Sequence, residues 1–105
     1  FVYVAQQPPA NINILSASDF GYLVICLPNT GPDSQVIYST SPFTRKMKKN
    51  LQNFRSQDYL LAIGDPIIIL ICGIAINDVT NGKFNSLKWD RREYRYYPLE
   101  IDFYN

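Results

Sequence analysis

The sequence contains no histidine. That removes the commonest general base and the commonest metal ligand from the chemistry open to the chain. There are two cysteines, Cys26 and Cys72, each inside an apolar run and not spaced as a metal pair or a redox motif. With no histidine to activate them, neither reads as a nucleophile. They read as buried free thiols, which points to a reducing compartment. Neither G-x-G-x-x-G nor G-x-x-x-x-G-K-[ST] occurs, so no cofactor is expected. The longest apolar run, residues 67–76, is far short of the ~20 residues that span a bilayer, so no membrane partner is expected either. No signal peptide is evident, and the expected location is cytoplasmic. The chain opens on Phe1 rather than Met, as a fragment, a processed form or a trimmed chain would.

Charge is sparse, at 18% of the residues, with a net charge of +1. A dedicated nucleic-acid binder is usually more basic. The charge is also unevenly placed. Residues 1–40 carry only Asp19 and Asp33, whereas residues 41–55 carry Arg45, Lys46, Lys48, Lys49 and Arg55 with no acid. The remainder is mixed and slightly acidic. The 105 residues are 47% hydrophobic, which suffices for one domain with its own core and excludes a disordered chain.

Residues 1–13 read as an extended, proline-containing lead-in, in which Phe1 to Val4 could add a short edge strand. Residues 22–27 are continuously apolar and suit a strand covered on both faces. Pro28 stops it, residues 29–34 read as a turn, and residues 35–39 as a short strand or a loop. Residues 42–55 are the clearest helix. Ser41 serves as N-cap, Pro42 takes the first helical position, and Phe43, Met47, Leu51 and Phe54 form one apolar stripe. The basic residues lie off that stripe, toward solvent. Residues 58–63 read as a second buried strand. Asp65 and Pro66 then start, and Asn81-Gly82 stop, an almost wholly apolar segment. Its isoleucines favour a strand, but its caps and length favour a helix, and the caps carry more weight. Residues 84–103 read as a hairpin, with Tyr97, Leu99, Ile101 and Phe103 on one face. The order β-α-β-α-β-β predicts a small single α/β domain over residues 1–105. Its sheet would be mainly parallel, with three to five strands and two helices, Rossmann-like in order.

Several motifs suggest chemistry. Residues 27–31 match LPxTG, but that sorting signal works close to a C-terminus, and here a strand running into a turn is the simpler reading. Gly64-Asp65-Pro66 sits where a strand meets a helix, the place where small ligands bind in open parallel sheets. A capping turn has the same sequence, and Asp65 would repel an anion. The basic helix, with Arg45, Lys46, Lys48 and Lys49, has the charge to neutralise a phosphate backbone, although most charge runs are solvated faces. Trp89, Arg91, Arg92, Tyr94, Arg95, Tyr96 and Tyr97 interleave rings with cations, as single-stranded nucleic-acid sites do. A packed hairpin covered by arginine stems looks the same. Glu100 and Asp102 share a strand face and could hold Mg²⁺, as could any charged pair on a wet edge strand.

Gly64-Asp65-Pro66, residues 87–91 (Leu-Lys-Trp-Asp-Arg) and residues 97–101 (Tyr-Pro-Leu-Glu-Ile) together resemble small α/β proteins encoded by bacteriophages, over residues 58–103. The resemblance implies a viral origin, and so the cytoplasm of an infected host. It brings no activity and no site residue. The function expected is a non-enzymatic binding protein. It would engage nucleic acid, or an acidic protein, through the basic helix and the ring-and-arginine segment. Two alternatives stand beside it: a homo-oligomeric assembly protein that buries the apolar segment at 67–76 between subunits, and a nucleotide-binding or carboxylate-based enzyme centred on Asp65.

Overall fold

A computed structural model describes residues 1–28 and 39–104. The strands are β1 (Val2–Val4), β2 (Leu23–Ile25), β3 (Tyr59–Leu61), β4 (Lys83–Asp90) and β5 (Arg95–Asp102). The helices are α1 (Ser41–Asn50) and α2 (Pro66–Thr80), and a 3-10 segment spans Leu15–Phe20. The strands form one sheet in the order β2-β1-β3-β4-β5. The first three pairings are parallel and three residues long. The last, β4 with β5, is antiparallel and eight residues long. The sheet is therefore mixed, not mainly parallel as the element order suggests. The hairpin alone contributes nearly as many paired residues as the three parallel ladders together.

Val2 to Val4 is not a lead-in or an edge. It is the interior strand β1, hydrogen-bonded on both sides. Its alternation is complete: Val2 and Val4 pack on one face of the sheet, Tyr3 and Ala5 on the other. That displaces β2 to the edge, where Ile25 is exposed and Leu23 and Val24 are only half-buried, so the expected two-sided cover is absent. Residues 29–38 lie outside the described residues, and with them most of the predicted turn and the segment at 35–39.

Both helices pack on one face. Phe43, Met47 and Leu51 of the α1 region join Ile68, Cys72 and Ile76 of α2 over Tyr3, Leu60 and Phe84. The predicted stripe is thus the buried one, and Phe54 completes it against Tyr3 and Phe84. The helix begins one residue earlier than predicted and ends at Asn50, five residues short of the predicted end at 55. The Thr44 nitrogen donates to the Thr40 carbonyl, so Thr40, not Ser41, holds the cap position, with no side-chain capping bond. The opposite face is covered by the 3-10 segment, whose Ala17 packs with Val2, Val4, Leu61, Leu87 and Tyr96.

The second helix has the predicted boundaries. Asp65 Oδ1 accepts from the Ile67 nitrogen at 2.9 Å, Pro66 follows, and Asn81 closes α2 in the left-handed conformation at φ 56°. Gly82 continues it at φ 82°. The capping geometry settles helix over strand despite the isoleucine content.

Candidate functional site

β3 reaches only as far as Leu61, opposite Leu87, while β4 runs on to Asp90. Lys88 to Asp90 and their partners Arg95 to Tyr97 therefore extend past β3 as a two-stranded arm ~10 Å long. Its turn is built by Asp90, whose Oδ1 accepts from the Arg92 nitrogen at 2.9 Å and the Glu93 nitrogen at 3.4 Å. Tyr94 closes the turn at φ 52°. That is left-handed backbone in which a bulky residue is uncommon and costs about 1 kcal/mol or more. Its side chain is nonetheless 79% exposed, so core packing does not account for the choice of tyrosine.

The arm is rich in rings and cations. Trp89 meets Tyr96 edge-on at 5.0 Å and Tyr94 at 6.4 Å between ring centroids. Tyr96 is buried, and burial raises its hydroxyl pKa, whereas Trp89 is 40% exposed. Arg91, Arg92 and Arg95 are all exposed. Among the described residues the one ion pair joins the Phe1 nitrogen to Asp58, so none of these arginines is tied to a carboxylate there. Asp90, whose Oδ1 is held by the turn, and Glu93 are the two acids of the arm.

A cleft of about 630 Å³ opens at the root of the arm, a volume suited to a small ligand or one base. Its walls are Leu61, Ile63, Leu87, Trp89 and Tyr96, with Asn11 and Asn13 from the loop after β1. Lys88 is the single charged residue lining it. The cleft lies past the carboxyl ends of β1 and β3. The sheet's connections leave in opposite directions from β1 and β3, so their carboxyl ends mark the switch point where α/β sheets bind ligands. At that point itself the Gln6 side chain fills the gap, its Oε1 accepting from the Asp65 nitrogen at 2.8 Å. A Cβ on Gly64, which sits at φ 121°, would lie 2.4 Å from the Gln6 Cβ. Gly64 and Asp65 are thus engaged in a close turn and a helix cap, and the open cleft is displaced one strand over, toward β4.

The basic helix is a separate feature. Arg45, Lys48 and Lys49 are exposed and flank the C-terminal half of α2, beside Ala75, Asp78 and Val79. Lys46 is half-buried rather than fully solvated. The arm stands at the other end, where β4 finishes beside the start of α2. The two cationic groups are therefore about the length of α2 apart, ~20 Å. The structure gathers Arg91, Arg92, Tyr94 and Arg95 on one arm but does not bring Arg45, Lys46, Lys48 and Lys49 to it.

Asp102 and Glu100 share a face of β5 as predicted, but Asp102 Oδ1 accepts from the Tyr104 nitrogen at 3.0 Å. No group of three or more carboxylates or thiols able to hold a metal occurs among the described residues. Both cysteines are free and buried, and burial pushes each thiol up to about 12. No helix among the described residues is long and apolar enough to cross a membrane. Sequence reasoning had the arm's rings and arginines but missed Lys88, Asn11 and Asn13, whose roles in the cleft depend on where β3 stops.

Comparison with curated proteins and with solved structures returned no match. Comparison with protein-family models matched residues 1–103 to the family described as phage Pam3 gp32-like protein. The match takes in the N-terminal part as well as the segment at 58–103, and the chain belongs to that family.

Proposed function

We propose that this member of the phage Pam3 gp32-like family is a non-enzymatic binding protein whose β4–β5 arm engages single-stranded nucleic acid. The observation that carries the reading is the arm. An exposed tyrosine is held there in a costly backbone conformation, beside a half-open tryptophan and three arginines with no carboxylate partner among the described residues. A base can stack on Trp89 or Tyr94, and each such stack contributes ~1–3 kcal/mol. Arg91, Arg92 and Arg95 would follow the phosphates, and Lys88 would meet a charge at the cleft's edge. A flexible single strand can present its bases to a narrow arm, whereas a duplex keeps them stacked. The exposed cations of α1 add a second, distant contact to the backbone alone.

Fluorescence anisotropy with a labelled single-stranded oligonucleotide tests the reading. The wild-type chain is expected to bind it in preference to the duplex. Trp89→Ala should weaken binding about 5- to 150-fold, in line with the loss of one stack. Arg91→Glu with Arg92→Glu should weaken it more than Lys48→Glu with Lys49→Glu. Equal loss from the two charge reversals would move the site from the arm to general electrostatics. No binding by the wild type would end the proposal.

A further inference from the structure

We infer that the cleft at the root of the arm takes one unpaired base of the strand and reads it through its Watson–Crick edge; the inference rests on the reading of the arm as a single-strand site. The ladder between β3 and β4 stops at Leu61 opposite Leu87, so the lane beside Lys88 to Asp90 holds no strand among the described residues. The hairpin decides which backbone groups face that lane. The Phe103 nitrogen donates to the Gly82 carbonyl, so residues 82 and 103 are a bonded pair. Counting along the ladder, Lys88 and Asp90 turn their N–H and C=O groups toward β5, and Trp89 turns both of its own into the lane. The cleft is lined from both faces of the sheet: Leu87, Trp89 and Tyr96 project to one face, Lys88 and Leu99 to the other. A flat occupant therefore lies where the missing strand would run, its edge toward the Trp89 backbone and apolar side chains on either side.

Three observations select a base as the occupant. First, an extended peptide adds to a sheet edge through a run of backbone groups, and between the end of β3 and the turn at Asp90 only Trp89 offers them. A base edge needs just one donor and one acceptor side by side, and every base presents such a pair on its Watson–Crick edge. Second, the lining is rings and aliphatic side chains with few polar groups, as a flat and weakly polar ligand requires. Across the lane stand Asn11 and Asn13. The Asn13 Oδ1 accepts from the Leu15 nitrogen at 2.8 Å, which leaves its amide nitrogen as the donor it can offer. Third, the single charge in the lining is positive, Lys88, which suits the phosphate that a nucleotide base brings with it. In a duplex the Watson–Crick edge is already paired, so a site of this kind excludes it.

Trp89 is the only tryptophan of the chain, so its fluorescence reports on the cleft. Titration of the full chain with each of the four deoxynucleoside monophosphates, up to millimolar concentration, is expected to give saturable quenching. The best binder, methylated on its Watson–Crick edge, should bind at least about tenfold more weakly, the cost of a hydrogen bond left unmade. Ala62→Phe, at an exposed position in the lining, should abolish the quenching with an unchanged circular dichroism spectrum. Equal binding of the methylated nucleotide overturns the inference, as does quenching that survives Ala62→Phe. Absence of saturable quenching by any of the four overturns it as well and leaves the lane to an extended peptide. Oligonucleotide anisotropy, measured in parallel, keeps the cleft and the arm apart. Oligonucleotide binding without nucleotide quenching retains the arm and overturns the cleft; nucleotide quenching without oligonucleotide binding retains the cleft as a base site and overturns the arm.

Discussion

At Tyr94 the backbone adopts a conformation that glycine or asparagine would hold more cheaply, and the ring it carries is outside the core. Retaining tyrosine at such a site fits a role in contact, which is where local strain tends to collect. Tyr94→Gly is expected to leave the melting temperature unchanged or slightly raised while weakening oligonucleotide binding severalfold. A fall in both would mean that the ring supports the turn rather than a ligand. The cysteines make a prediction of the opposite kind, about the core. Both thiols are pushed up to about 12 by burial, and at Cys72 the nearby Cys26 raises it further. In the unfolded chain a thiol titrates near ~8.5. Between those values the unfolded chain gives up protons that the folded chain keeps. Stability is therefore intact below about pH 8.5 and is lost as pH rises toward about 12. Tyr3 and Tyr96, also raised chiefly by burial, act in the same direction. Urea melts at rising pH should show this fall, and Cys72→Ala should flatten it. An equal fall in the variant would assign it to Cys26 and the tyrosines.

Among the elements, α2 packs against α1 and β4, and its start depends on few atoms. Asp65 caps it, Pro66 enters it, and the Asp65 nitrogen is fixed by Gln6 from the far side of the sheet's centre. Asp65→Ala is expected to lower stability by ~1 kcal/mol through loss of the cap, read from chemical denaturation. No change would show that the cap bond is replaced by water at no cost. This element was legible in the sequence because caps are local chemistry: Asp-Pro at one end and Asn-Gly at the other outweigh the strand preference of six isoleucines between Ile67 and Ile76. The stripe of α1 was legible for the same reason, as a period within one helix. Val2 to Val4 was not. A three-residue strand has no period to read, and its interior position arises only when β2 and β3 dock on its two sides. The 3-10 segment at Leu15–Phe20 is likewise hidden, since so short a piece is set by the sheet face it covers.

The whole molecule shows why the candidate site was half visible. Alternating rings and arginines at 89–97 are a sequence fact, and the structure keeps them together on one arm. That the arm stands clear of the sheet follows from β3 stopping opposite Leu87, and no property of residues 88–97 announces it. The cleft at its root joins residues 11–13 to residues 61–63 and 86–89, a union made by the fold alone. Conversely, the strongest charge run in the sequence, on α1, lies beside the far end of α2, away from the cleft. The arm with its cleft and the basic face of α1 are separate surfaces on one small domain, and each can be altered without disturbing the core between them.

The reading of the arm is tested most directly by the salt dependence of single-strand binding. Log affinity is plotted against log salt for the wild-type chain and for Arg91→Glu with Arg92→Glu. The account predicts a linear fall in the wild type, with a slope of about −0.7 for each phosphate neutralised, and a smaller slope as well as weaker binding in the variant. A wild-type chain that shows no binding at low salt, or a variant with the wild-type slope, would contradict it.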